Sequence, residues 1–317
     1  MMKYSIFYGF LGKKIIDVTK ISYEKMMKQG IILIPKNDHS RAAVYGDPLE
    51  GVHKFIYIYN QECDLNAYYS SSENVYIDTI NNAIYTDKDI PENILNIYPS
   101  RESLLKKLNK IHSELYFNDT INPNINDELP EQLMAVRYLK GDEKVLELGA
   151  NTGRNTLNIS KLLNDSSNLV TLECDPNTVK TLTHNRDKNN MKFHIEGSAL
   201  SKRKLIQRVW DTMVSDIVIP GWVPVSIISY EELMNKYKIE FDTLVLDCEG
   251  AFYYILMDMP EILNGIKTII MENDYWEIEK KHFVDRKLRE NGFTVDYSEE
   301  GGWGPCQSFF FQVWVRK

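Results

Sequence analysis

Two hydrophobic rhythms divide the chain. Through the first hundred residues the apolar positions come in short bursts: IFYGF from Ile6, GIILIP from Gly30, KFIYIY from Lys54 and NVYIDT from Asn74. These bursts hold β-branched and aromatic residues between Gly, Pro, Asn and Asp, which predicts short strands joined by turns. The stretch SRESLLKKLNKIHSELYF changes period, placing Leu104, Leu105, Leu108 and Ile111 on one helical face with Ser100 as N-cap. The segment NDTINPNINDELP, Asn118 to Pro130, is polar and contains Pro, so it reads as a linker. The expected organisation is a β-rich α+β domain over 1–118, a linker over 119–130 and a second domain over 131–317.

In that second domain strands and helices alternate. A helix at PEQLMAVRYL precedes the strand KVLELG, and a helix begins near Thr152. LVTLEC, a helix over NTVKTLTHNRDKN, KFHIEG, DTLVLD, a helix over YYILMDMPEIL and TIIMEN follow in order. Each strand is a continuous apolar run, as in a parallel sheet covered by helices on both faces. The end differs: FTVDYSEE, a Gly-rich turn and SFFFQVWVRK predict a closing antiparallel hairpin. The fold class is therefore α/β, a doubly wound, mostly parallel, Rossmann-like sheet beside a smaller β-rich domain. The apolar and aromatic stretch Ser201 to Ser229, with Trp210 and Trp222, reads as an irregular excursion suited to a substrate lid.

Charge narrows the partners. The net charge of the 317 residues is −8, and the part beyond Ile125 has 23 basic against 30 acidic residues. That imbalance is a poor match to a phosphate backbone and argues against nucleic acid as partner. The four cysteines, Cys63, Cys174, Cys248 and Cys306, are far apart and show no Cys-x-x-Cys, which suits a reducing compartment. No run of about 18 apolar residues occurs and no signal-peptide pattern opens the chain, so a cytoplasmic protein without a membrane span is expected.

In doubly wound sheets ligands bind beyond the carboxyl ends of the strands. The first of these strands ends in ELGANTGRN, where Gly149 and Gly153 allow close backbone approach at a helix start. This is not the dinucleotide fingerprint, and it suits a cofactor without a pyrophosphate. The second ends in LECDP, which puts Glu173 near the spacing of a ribose-binding acid and Asp175 at a helix cap. The third ends in Gly197, Ser198 and Ala199, small enough to leave room for a flat adenine. The fourth delivers Asp247 and Glu249; the fifth delivers Glu272, Asn273 and Asp274, then Tyr275 and Trp276. The last turn, GGWGPC, carries Trp303.

VLELGANTGRNT, TLECDPNTVKTLTHN, LVLDCEGAFYYIL and TIIMEND together resemble the FkbM family of S-adenosylmethionine-dependent methyltransferases, over Glu131 to Lys317. The resemblance implies a class I methyltransferase fold, S-adenosylmethionine as methyl donor and transfer to oxygen of sugars, glycolipid-like or polyketide hydroxyls. Glu147, Gly149, Asn151, Gly153, Glu173, Cys174, Ser198, Ala199 and Asp247 are then the cofactor contacts. The chain departs from the family pattern in having Glu147 for an Asp and Phe252 for a second Glu. The first domain is similar to segments of giant-virus proteins, and the Asn, Ile and Lys bias suits an AT-rich viral genome.

A hydroxyl is a poor nucleophile, so its proton needs an acceptor. Asp247 or Glu249 would take it directly. Alternatively a divalent metal on Asp247, Glu272 and Asn273 or Asp274 would lower the hydroxyl pKa; the metal-free scheme is preferred. Glu249 doubles as a helix cap near Ala251. Trp222, Glu272, Asn273, Trp276 and Trp303 are candidate acceptor contacts, the acceptor being a small molecule or a glycan. Methylation of RNA or protein, and a non-catalytic cofactor-binding scaffold for the first domain, are the alternatives. An assembly of identical chains is compatible with all of them.

Overall fold

The computed structural model describes residues 2–60, 65–208 and 211–316. Cys63 and Trp210 lie outside the described residues. The chain forms two compact units, Met1–Arg101 and Glu102–Lys317. The expected linker over 119–130 belongs wholly to the second unit. Asp119 within it is buried and bonded to Arg154, while Thr120, Asn124, Asn126 and Asp127 are exposed.

The first unit contains β1 (Ser5–Phe10), β2 (Lys14–Asp17), α1 (Thr19–Lys25), β3 (Met27–Lys28), β4 (Ile31–Ile34), α2 (Asp38–Tyr45), β5 (Phe55–Asn60), β6 (Leu65–Tyr69), β7 (Val75–Asp78), β8 (Ala83–Thr86) and α3 (Glu92–Ile97). They make two antiparallel sheets of order β2-β1-β5-β6 and β3-β4-β7-β8. Strict alternation sends Ile56 and Ile58 of β5 into the core with Ile6 and Tyr8, while Phe55, Tyr57 and Tyr59 face outward.

In the second unit α4 (Arg101–Ser113) and α5 (Leu129–Tyr138) precede β9 (Val145–Leu148), α6 (Arg154–Leu162), β10 (Leu169–Leu172), α7 (Pro176–Lys188) and β11 (His194–Glu196). An inserted region follows: β12 (Ala199–Leu200), β13 (Leu205–Arg208), β14 (Asp211–Val214), β15 (Val223–Val225), β16 (Ile227–Ile228) and α8 (Tyr230–Tyr237). β17 (Thr243–Leu246), α9 (Phe252–Asp258), β18 (Thr268–Glu272), α10 (Ile278–Glu290), β19 (Phe293–Glu299) and β20 (Phe311–Arg316) complete it. The main sheet runs β11-β10-β9-β17-β18-β20-β19, with β20 antiparallel to both of its neighbours. Every residue of β9, β10 and β17 is buried, which is why their sequences are mostly apolar, with Glu147, Thr171 and Thr243 as buried polar exceptions.

One expectation needs correcting. The stretch 201–229 is not irregular: β13 pairs with β14 and β15 in a small antiparallel sheet, and β16 lies along β12. These strands are so short that polar residues interrupt every apolar run, and no period shows in the sequence.

Candidate functional site

β9, β10, β11, β17 and β18 are parallel and end on one rim. The turn after β9 has three left-handed residues, Gly149 (φ 92°), Asn151 (φ 48°) and Gly153 (φ 101°). At Gly149 space matters as much as dihedral: a Cβ there would lie 1.6 Å from the Asp247 carbonyl oxygen. The turns after β9 and β17 touch backbone to backbone, and the Asp247 N–H donates to Leu148 O at 3.0 Å. Gly149 thus brings two strand ends together.

Glu173, at the end of β10, holds the same turn. Its Oε2 accepts from Asn151 N at 2.9 Å and its Oε1 from Asp175 N at 2.8 Å. Each oxygen keeps a lone pair for a further donor. Burial pushes the carboxyl pKa upward. Asp175 caps α7, accepting from Asn177 N and Thr178 N. Glu147 is sunk below the rim. Thr156 and Thr171 both donate to its Oε2, at 2.6 and 2.7 Å, and burial pushes its pKa up to about 7.

The densest chemistry lies where β17 and β18 end. Their register sets Leu246 opposite Met271, so Asp247 and Glu272 stand side by side one residue further on. The Asp247 charge opposes ionisation of its neighbour Glu272. Burial, with the adjoining Asp247 and Glu131, pushes Glu272 up to about 11; burial also raises Asp247. Glu131 lies on α5, the helix packed against β18, and burial and Asp247 push it up to about 8. Glu128, just ahead of α5, is likewise pushed up to about 8 by burial and Asp247. Two oxygens in this cluster, Glu131 Oε2 and Asp274 Oδ1, are buried without a hydrogen-bond partner. Both residues are only 8% exposed, so an orphaned oxygen there is costly and marks room for a donor or a cation.

Arg154, in the first turn of α6, faces this acidity. It pairs with Asp119 at 3.0 Å and Glu128 at 3.4 Å and donates to the carbonyls of Asn122 and Asn124. Its guanidinium also lies 5.3 Å from the Phe117 ring centroid. One buried cation therefore pins segment 117–128 beside the rim.

Known proteins add little. No protein-family model matches the chain, and no curated protein matches it. Among solved structures it is similar to ribosomal protein L11 methylase from Lactobacillus delbrueckii subsp. bulgaricus at 12% identity and TM-score 0.40, covering 61% of this chain and 80% of that one. A putative RNA methyltransferase from Pyrococcus horikoshii matches at 14% identity and TM-score 0.39, over 67% of this chain and 95% of that one. An O-methyltransferase from Bacillus cereus, in complex with SAH, matches at 13% identity and TM-score 0.38, over 71% and 96%. At such scores the likeness alone assigns neither fold nor chemistry.

Other expected site residues are placed differently. Asn273 is fully buried, its Nδ2 donating to Phe309 O and Gln312 Oε1 at 2.7 and 3.1 Å, while its Oδ1 is buried without a hydrogen-bond partner. Among the described residues no group of three or more His, Cys, Asp or Glu is arranged to hold a metal ion. Glu249 is exposed and left-handed (φ 50°), two positions before Ala251, which occupies the α9 N-cap without a side-chain bond. Phe252 packs in the core, explaining why no acid stands there.

Ser198 is half-buried, and Ala199 pairs with Ile227. Cys174 Sγ donates to Gln207 Oε1 at 3.6 Å, and burial pushes the thiol up to about 11, so it is no nucleophile. Trp222 lies under the Arg208 guanidinium, 5.0 Å from its centroid. Trp276 and Trp303 do come together, ring centroids 4.0 Å apart, with Trp276 81% exposed. Glu128, Glu131, Asp119 and Arg154 escaped the sequence reading because charged residues in a polar segment and in the first turns of α5 and α6 look like a solvated surface. A cleft of about 550 Å³ near Phe241 and Gly265 sits by the amino ends of β17 and β18, away from this rim.

Proposed function

We infer that the Glu102–Lys317 unit is an S-adenosylmethionine-dependent O-methyltransferase whose acceptor is a hydroxyl of a sugar or glycan-like molecule. The observation that carries this reading is one rim combining the Gly149–Gly153 turn, Glu173 and the Asp247–Glu272 pair. It sits on a sheet ordered β11-β10-β9-β17-β18-β20-β19, parallel except for β20. The motifs that resemble the FkbM family fall on those same turns. Fold analogy is an association, so the chemistry of the site has to fit independently.

It does fit. The donor is a cation at sulfur and at its amino group, and the rim offers buried carboxyls with two orphaned oxygens. Glu173 has lone pairs for ribose hydroxyls, and the small residues Ser198 and Ala199 leave an edge for adenine. When bound, the donor supplies an electrophilic methyl group. The protein's own task is to orient the acceptor and take its proton, for which Asp247 is placed at the rim. The tilted Trp276–Trp303 pair, its planes 40° apart, offers an aromatic surface to a sugar ring. The acidic surface disfavours an RNA acceptor.

Incubating the full chain with methyl-labelled donor and a panel of saccharides, nucleotide sugars, protein and RNA tests this. Label is expected in a saccharide hydroxyl and to persist after EDTA treatment. Label confined to RNA or protein would overturn the acceptor class, and loss with EDTA would reinstate a metal.

A further inference from the structure

The methyl-donor reading leaves the first unit without a task, yet one of its sheets carries a face built of aromatic rings. In the sheet β2-β1-β5-β6, Ile6, Tyr8, Ile56 and Ile58 build the core on one side. The same alternation turns Phe7, Phe55, Tyr57, Tyr59 and Tyr68 to the other side. Register sets Phe7 opposite Tyr57 and Tyr57 opposite Tyr68, so rings stand side by side across three neighbouring strands. Ring centroids lie 5.7 Å apart for Phe7–Tyr59, 6.1 Å for Phe55–Tyr68 and 6.4 Å for Tyr57–Tyr68. Tyr68 is 69% exposed and the other four are half-buried. A contiguous aromatic face held open to water marks a binding surface.

The chemistry of the face selects its ligand. The other outward positions on these four strands are Ser5, Gly9, Ile15, Asp17 and Asn66. Asp17 is the one charged residue among them, and its Oδ1 already accepts from Thr19 N at 2.8 Å. Lys13 and Lys14 lie at the β1–β2 turn, at one end of the face, and no Lys or Arg stands within it. A single-stranded nucleic acid needs cations along its backbone as well as rings under its bases, so it fits poorly. Hydroxyls edge the rings instead. Tyr57 Oη accepts from Leu11 N at 3.0 Å, which leaves its proton to donate. Flat apolar rings, hydroxyl and amide edges and almost no charge match an uncharged sugar: its C–H face lies on the rings while its hydroxyls meet the edges. Phe55 to Tyr59 spans about 13 Å along β5, at about 3.3 Å per residue, which is longer than a single sugar ring.

We propose that the first unit is a saccharide-binding module, and that its outward sheet face of Phe7, Phe55, Tyr57, Tyr59 and Tyr68 holds an uncharged glycan chain. The proposal needs neither the methyl donor nor the rim and stands apart from the reading of the second unit. Where the acceptor is a glycan, a module on the same chain raises the local concentration of that acceptor without adding any contact at the reacting hydroxyl.

Affinity electrophoresis of the full chain, without S-adenosylmethionine, in gels containing laminarin, mannan, xylan or dextran tests this. Retardation by at least one of these neutral polysaccharides is expected. Tyr68→Ala should weaken it at least about tenfold, the scale of losing an aromatic anchor, while Tyr68→Phe, which keeps the ring, should retain most of it. Tyr68 is 69% exposed, so its replacement leaves the core untouched, and an unchanged melting temperature checks that. No retardation by any of the four overturns the proposal, as does tighter, salt-sensitive binding to polyuridylate. Retardation lost in Trp276→Ala but kept in Tyr68→Ala would place the sugar at the rim of the second unit and likewise overturn it. So would dimers in sedimentation that Tyr68→Ala dissolves, because a second copy would then cover the face. Each of these outcomes leaves the methyl-donor reading as it was.

Discussion

Gly149→Ala is expected to cost the second unit more than about 4 kcal/mol, beyond the ordinary range of single substitutions. The added methyl would sit 1.6 Å from the Asp247 carbonyl oxygen, and backbone of a central strand has nowhere to go. The residue also adopts φ 92°, where an L side chain is strained. Total stabilities run to about 5–15 kcal/mol, so this change removes a large share. Thermal melting followed by circular dichroism checks it. Gly153→Ala is the internal control: its methyl meets the flexible end of Leu182 at 2.7 Å, so the loss there should be smaller. Near-equal melting of Gly149→Ala and the parent would refute the contact between the two turns.

Asp247→Asn should lower methyl transfer by about 100-fold or more, the usual worth of a placed general base. Donor affinity should change much less. With its charged neighbour gone, Glu272 ionises more readily and keeps a negative charge beside the sulfonium. The split between rate and affinity is the informative result. If the two fall together, Asp247 belongs to donor binding and the proton leaves by another route.

Much of this was legible in the chain. Parallel strands announced themselves because burial on both faces makes most of their positions apolar, as in TLVL and TIIM. Strand ends were readable because Glu173, Asp247 and Glu272 interrupt those runs abruptly. The hairpin at the end was visible for the same reason. What stayed hidden depends on contacts between distant segments. Nothing local tells that Asn118 to Pro130 is held by Arg154, or that Glu131 is buried. Position alone does not tell that the Asn273 amide nitrogen is taken up by Phe309, just ahead of β20, and by Gln312 within it. Glu249 failed as a cap because the left-handed pair Glu249–Gly250 delays α9 until Phe252. Local sequence sets the elements; which side chains meet is decided by the sheet order.

The central claim is that this rim holds a charged methyl donor, and calorimetric titration of the purified chain with S-adenosylmethionine tests it most directly. The account predicts saturable binding of one donor per chain, weakened at least tenfold by Glu173→Ala while the fold persists. No heat of binding, or the same affinity in Glu173→Ala, would contradict it.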